Sequence, residues 1–272
     1  SYPLLEMLAR LEAVEVDSYR LIREDDWRVD LDSLVARLTP RTRAIVVIQP
    51  NNPTGSCLRP AEREAVTALA AARGLAVISD EVFLDYPFGD ASLRSRSLLH
   101  ETGATSFVLG GLSKSAGLPQ MKCAWIVAGG PSATCAEARA RLDLIADTYL
   151  PVATPIQQSL DTLLRAGRLV RNQILARIRR NRAAILRRRG PAVSWDLVPG
   201  DGGWMAMLRL PRTRSDLEWS LLLMERDRVL VHPGHFYDAE EEGLLVLSLL
   251  PPEERFEAAI EKISRRIASE GG

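Results

Sequence analysis

Lysine is scarce in this chain. Of its 35 cationic side chains, 32 are arginine, and the lysines are Lys114, Lys122 and Lys262. A side chain that can serve as both nucleophile and titratable base marks a place to look for chemistry. Lys114 and Lys122 stand eight positions apart, just after the apolar run Ser106-Phe107-Val108-Leu109 and the pair Gly110-Gly111. Two other polar groups sit in comparable settings. Asn51 and Asn52 follow the β-branched run Ala44 to Gln49, and Asp80 follows Leu75-Ala76-Val77-Ile78-Ser79. Ligands of parallel α/β sheets bind beyond the carboxyl ends of the strands. An amide, a carboxylate and an amine at three successive strand ends suit a flat polar heterocycle held by a covalent link. Turn capping is the plainer account of each residue taken alone; their recurrence at successive strand ends favours the chemical one.

The elements that must position these groups are legible as short apolar runs separated by helical patterns. A helix is expected from Pro60 to Arg73 with Gly74 as its C-cap, and a fourth strand over Cys123 to Ala128. Runs apolar on both faces imply a parallel or mixed sheet covered on both sides. From about Ala136 to Arg189 the pattern is nearly all helix, interrupted at Pro151 and Pro155. Strand signals return at Trp204 to Leu208 and Leu244 to Ser248, flanked by helices at about Asp216–Asp227 and Glu253–Ile267. The fold class is therefore α/β, with a smaller α+β domain after a long connecting helix: residues 1–165 form the large domain and 166–272 the helix and small domain.

Composition narrows the function. The chain is 46% hydrophobic with formal net charge zero, which provides a core and no global field for nucleic acid or anionic membrane. The arginines between Arg165 and Arg189 have no aromatic residue among them to stack on bases and read as a solvated helix face. No apolar run reaches the ~18 residues of a membrane span. Cys57, Cys123 and Cys135 form no CxxC pair, which points to a reduced, cytoplasmic protein. Trp27, Trp195 and Trp219 read as core or interface aromatics, and Cys123 as a packing residue.

Three segments, Asn51-Asn52-Pro53-Thr54-Gly55, Ser79-Asp80-Glu81-Val82-Phe83 and Ser113-Lys114-Ser115-Ala116-Gly117-Leu118-Pro119, resemble the class I/II pyridoxal-phosphate aminotransferases of fold type I. Their order and spacing together are specific, and the resemblance continues to the C-terminus. It implies a mostly parallel seven-stranded sheet in a three-layer large domain, a homodimer, pyridoxal 5'-phosphate as cofactor, and transfer of an amino group from an amino acid to a 2-oxo acid. Lys114 would be the Schiff-base lysine and proton shuttle. Asp80 would pair with the pyridine nitrogen, Asn52 would donate to the ring oxygen, and Tyr2 would stack on the ring. Ser113 and Lys122 would hold the phosphate.

The departures from the family pattern are specific. Lys122 stands where arginine is usual, replacing a bidentate fork with a point charge. Phe83 replaces a tyrosine that bonds the ring oxygen, so Phe83 contacts the cofactor without that bond. Gly111 replaces a hydroxyl on the phosphate side. Val246, in Val246-Leu247-Ser248-Leu249, stands where an arginine clamps the substrate carboxylate, leaving His232 and His235 as nearby candidates. Roughly a hundred residues, a domain-sized stretch, precede the point of the family pattern that matches Ser1. Two other readings stay open: a lyase or cyclase using the same cofactor, and a catalytically idle aminotransferase-like binding domain.

Overall fold

A computed structural model describes residues 4–90, 92–93, 96–101, 103–190, 193–239 and 241–270. It begins with α1 (Leu4–Leu11), followed by a short hairpin of β1 (Leu21–Arg23) and β2 (Trp27–Val29). Helix α2 (Leu31–Arg37) starts where the Asp30 carboxylate accepts the Ser33 N–H, filling one of the donors a helix start leaves open.

The apolar runs become a four-stranded sheet, buried on one face and half-buried on the other along β3 and β4; β6 is largely exposed, so the expected covering of both sides does not extend to it. Strands β3 (Ala44–Ile48), β4 (Ala76–Asp80) and β5 (Ser106–Gly111) lie parallel in that order, and β6 (Ala124–Gly129) pairs with β5 antiparallel. Helix α3 (Pro60–Arg73) crosses between β3 and β4. Proline suits its first turn, and Gly74 ends it at φ +63°, a conformation glycine adopts without a Cβ penalty. Its Val66 and Ala70 pack on Ile45, Val47 and Val77 of the strands. The register sets Asp80 level with Ile48 of β3 and Leu109 of β5, so the three parallel strands finish side by side.

The chain then runs through α4 (Leu112–Ser115), α5 (Ser132–Thr148) and α6 (Thr154–Arg188). Pro155 stands in the first turn of α6 and so starts that helix, where its missing N–H is harmless. A second, antiparallel sheet has the order β7 (Asp196–Leu197), β8 (Met205–Arg209), β10 (Leu244–Ser248), β9 (His232–Pro233). Alternation divides its faces. Ala206, Leu208, Leu245 and Leu247 pack with Ile178, Ile185 and Trp219 and with Ile260 and Ile263 of α8 (Glu253–Glu270), while Met205, Met207 and Val246 face the other way, against Trp27. Helix α7 (Asp216–Leu222) is shorter than the periodicity predicts: residues Leu223–Asp227 form a π-turn that closes on Arg228 at φ +56°.

Trp195 and Trp219 are buried in the core, and Trp27 lies partly buried against the small sheet. The arginines of α6 are more engaged than a solvated face requires. Arg171 pairs with Asp85 at 3.0 Å, and Arg180 and Arg187 pair with Glu253 and Glu257 of α8, each at 2.6 Å. Among the described residues no helix is long and apolar enough to cross a membrane.

Helix α6 touches α4 at a point with no spare room: a Cβ added to Gly167 would stand 2.3 Å from the Ala116 Cβ. Gly167→Ala is therefore expected to cost about 1–2 kcal/mol in urea unfolding, since overpacking exceeds the ~1 kcal/mol gain in helix propensity. Gly89→Ala, where a Cβ meets nothing within 4 Å, should be close to neutral.

Candidate active site

The polar strand ends rest on a buried hydrogen-bonded layer. Gln49, fully buried, follows β3; its Nε2 donates to Glu81 at 3.1 Å and to the Arg96 carbonyl at 3.0 Å, and its Oε1 accepts the Leu58 N–H at 3.3 Å. The Glu81 carboxylate also accepts the Ser79 hydroxyl at 2.8 Å and the Leu98 N–H at 2.9 Å. Buried polar atoms hold position when satisfied in this way. The layer fixes the loops that carry Asn52 and Asp80.

Above it, Asp80 is half-buried and accepts one backbone N–H, from Val82 at 3.2 Å. Burial is the main influence raising its pKa. The Val82 hydrogen bond and the Lys114 charge lower it, and the Glu81 carboxylate raises it further. Lys114, also half-buried, projects from the opposite side of α4 to Leu112 and Ala116, which pack on α6. Burial holds its amine below the usual lysine range, with Asp80 opposing. The Nζ lies 4.8 Å from the centre of the Trp204 ring and 5.5 Å from that of Phe83. Those two rings meet edge to face at 5.5 Å, and Trp204 meets Tyr86 in the same way at 5.2 Å. Beside them is a cleft lined by Asn51, Asn52, Phe83, Gly203, Trp204 and Met205. The Asn52 Oδ1 is buried there without a hydrogen-bond partner.

The cleft is closed on one side by backbone. Gly55 takes the N–H groups of Asp201 at 2.8 Å and Gly202 at 3.0 Å on its carbonyl. A Cβ at Gly55, whose φ is +73°, would lie 2.6 Å from the Gly202 oxygen, and one at Gly200 would lie 2.6 Å from the Thr54 oxygen. The Asp201 carboxylate pairs with Arg96 at 3.0 Å and Arg59 at 3.4 Å and accepts the Cys57 N–H at 3.0 Å. Arg59 also pairs with Asp26 of the β1–β2 turn. Burial, with the Asp201 charge adding to it, pushes the Cys57 thiol up to about 12, so it stays protonated.

Asn52, Asp80, Phe83 and Lys114 thus converge. Ser113 is half-buried on α4. Lys122 is exposed at φ +49° on the turn before β6, with no ion pair among the described residues. Tyr2 lies outside the described residues. Val246 is buried and opposes Met207 on one side and His232 on the other. His232 Nδ1 is 2.9 Å from the Tyr237 hydroxyl, and His235 is held by Asp216, which meets its backbone N–H at 2.9 Å and its Nδ1 at 3.0 Å. Neither histidine lines the cleft. Trp204 and Tyr86 are two residues of the site that the sequence motifs do not mark. The signals were a tryptophan directly after Gly202-Gly203 and a tyrosine six positions after Asp80.

The sequence pattern of the class I and II aminotransferases matches residues 1–263. The glutamate-pyruvate aminotransferase AlaA of Escherichia coli is 30% identical over 163 residues, 60% of this chain and 40% of that protein. The arginine–pyruvate transaminase AruH of Pseudomonas aeruginosa is 29% identical over 244 residues, covering 89% and 60%. The chain thus spans less than two-thirds of the length of these relatives. An alanine aminotransferase structure from Pyrococcus furiosus superposes with a TM-score of 0.86 at 25% identity, over 99% of this chain and 68% of that one. A tyrosine aminotransferase from Leishmania infantum, 20% identical with a TM-score of 0.86 over 99% of this chain and 67% of that one, shares the fold.

A carboxyl whose pKa is raised by folding contributes stability below its unfolded pKa and loses it as pH rises through the folded value. Asp80→Asn is therefore expected to raise the melting temperature of the cofactor-free protein at neutral pH. The gain should shrink as pH falls through the carboxylate range, as thermal scans from pH 7 to pH 4 would show.

Proposed function

Because the chain belongs to the class I and II aminotransferases, we propose that it carries out transamination between an amino acid and a 2-oxo acid, with pyridoxal phosphate held at Lys114. The observation that carries this reading is the meeting of Lys114, Asp80 and Asn52 at adjoining parallel strand ends, each half-buried and under-bonded. That set fits the cofactor's ring: an amine for its aldehyde, a carboxylate with one backbone donor for its nitrogen, and an amide whose NH2 would donate to its ring oxygen. When bound, pyridoxal phosphate supplies an electron sink for negative charge on the substrate α-carbon.

The chain's own residues would do the rest. Lys114 Nζ would take the proton from the substrate α-carbon, a task that requires a neutral amine, and burial supplies the downward pKa shift that favours one. Asp80 would hold a proton at the pyridine nitrogen, its carboxylate having just one backbone donor in competition. Phe83 would cover the ring edge without a hydrogen bond, and Trp204 would exclude water from the amine. Ser113 and Lys122 would supply a hydroxyl and a cation to the phosphate, and Tyr2 an aromatic face to the ring.

The wider reading follows the family: a cytoplasmic homodimer whose large unit, residues 1–165, and small unit, residues 166–272, share helix α6. The relatives AlaA and AruH, a glutamate-pyruvate aminotransferase and an arginine–pyruvate transaminase, support an amino acid and a 2-oxo acid as substrates.

Pyridoxal phosphate added to the purified protein should give the absorbance of a protonated imine, lost in Lys114→Ala. Adding an amino acid should convert that band to pyridoxamine phosphate. Lys114→Ala is expected to slow turnover at least about a thousandfold. A wild-type protein that stays colourless with the cofactor overturns the proposal.

A further inference from the structure

Lys114 is the residue whose amine must be aimed, yet it sits on a helix of four residues, Leu112–Ser115. So short a helix has little internal hydrogen bonding with which to hold its backbone. The neighbouring carbonyls are accounted for locally: Gly111 accepts the Ser115 hydroxyl at 2.8 Å, and Leu112 accepts the N–H groups of Ala116 and Leu118, each at 3.1 Å. The Lys114 carbonyl has a different partner. It accepts the hydroxyl of Tyr86, a fully buried side chain 28 positions earlier.

Tyr86 is held from two further directions. Its own carbonyl accepts the Gly203 N–H at 2.9 Å, and a Cβ on Gly202 would approach that carbonyl oxygen to 2.5 Å. Its ring stands edge to face with Trp204 at 5.2 Å, and Trp204 in turn lies 4.8 Å from the Lys114 Nζ. One tyrosine therefore grips the lysine's peptide, the glycine turn that leads into β8 and the aromatic ring on which the lysine's amine rests.

We propose that Tyr86 is a positioning residue for Lys114: its hydroxyl fixes the lysine backbone so that Nζ is held against Trp204 and Phe83, two residues that line the cleft, and its carbonyl ties that arrangement to the seating of the small sheet. Tyr86 acts through the Lys114 peptide and the Trp204 ring and touches no reacting atom. This deepens the proposed function, since it concerns the same amine, but it can be tested without the cofactor.

The experiment is competitive acylation of the cofactor-free protein, with each lysine's modification followed by mass spectrometry across pH. Lys122 and Lys262 serve as internal standards. In Tyr86→Phe the ring packing is kept and the hydroxyl lost. The freed amine gains water, so the burial that depresses its pKa weakens. The Lys114 midpoint should move up by about half a unit, a roughly threefold drop in free amine at fixed pH below it, with Lys122 and Lys262 unmoved. Trp204→Phe, which shortens the aromatic shelf and leaves the hydroxyl bond, should shift Lys114 in the same direction and covers the case in which Tyr86→Phe fails to fold. A change in melting temperature with the Lys114 midpoint unmoved in the folded variants overturns the proposal, for that is what a packing role alone produces. A protein that takes up no pyridoxal phosphate would sink the proposed function and leave this measurement standing.

Discussion

The carbonyl of Gly55 accepts two consecutive N–H groups, those of Asp201 and Gly202, and through that contact the loop after β3 meets the turn before β8. The approach is backbone on backbone, and glycine on both sides is what permits it. Side chains of ordinary size would hold these segments apart, and Asn52, Trp204 and Met205 would then no longer share a cleft. The Asp201 carboxylate reinforces the contact laterally, drawing in Arg59 and Arg96, and Arg59 carries the network on to Asp26 of the hairpin. A partly buried charge shared by two guanidiniums is strongly destabilising to break, so these segments stay in register as a set.

The site built on that contact is electrostatically poor by folding standards. Asp80 carries its charge where burial disfavours it, and Lys114 is kept from full solvation by aromatic rings. Beyond each other's charge and the single Val82 N–H on Asp80, neither forms an ion pair among the described residues. The compensation lies one layer below, where Glu81 accepts three donors from Gln49, Ser79 and Leu98. A satisfied carboxylate directly next to a frustrated one shows how the strand end tolerates the latter. Strained or under-bonded groups persist where their surroundings over-determine them.

What sequence could reveal followed from local pattern. The strands β3 to β5 were legible because their runs are apolar on both faces, one buried and the other half-buried, and α3 because proline and glycine mark its ends. Lys114, Asp80 and Asn52 stood out because each follows a strand. The hairpin of β1 and β2 went unread: three-residue strands around Glu24-Asp25-Asp26 carry too little periodicity, and their stability comes from Glu62, which accepts the Val29 N–H, and from Arg59. Tyr86 and Trp204 were illegible for another reason. Their importance depends on the approach of a turn more than a hundred residues further along the chain, which no local spacing encodes. Within the α6 arginine cluster, which reads as a solvated face, Arg180 and Arg187 pair with α8, a contact hidden from local pattern because Glu253 and Glu257 lie some seventy positions away.

Helix α6 has 35 residues without a break, a rod of about 50 Å. Toward its middle Gly167 lies against the turn that carries Lys114, and further along Asn181 donates to the carbonyls of Leu249 and Pro251, each at 2.9 Å, just beyond the end of β10. A rod gripped at both places cannot hinge between them. The helix therefore sets the spacing between the turn that carries Lys114 and the end of β10. Bulk at Gly167 would then do more than destabilise: by pushing the rod off the Lys114 turn it would be felt, through Asn181, at the far edge of the small sheet.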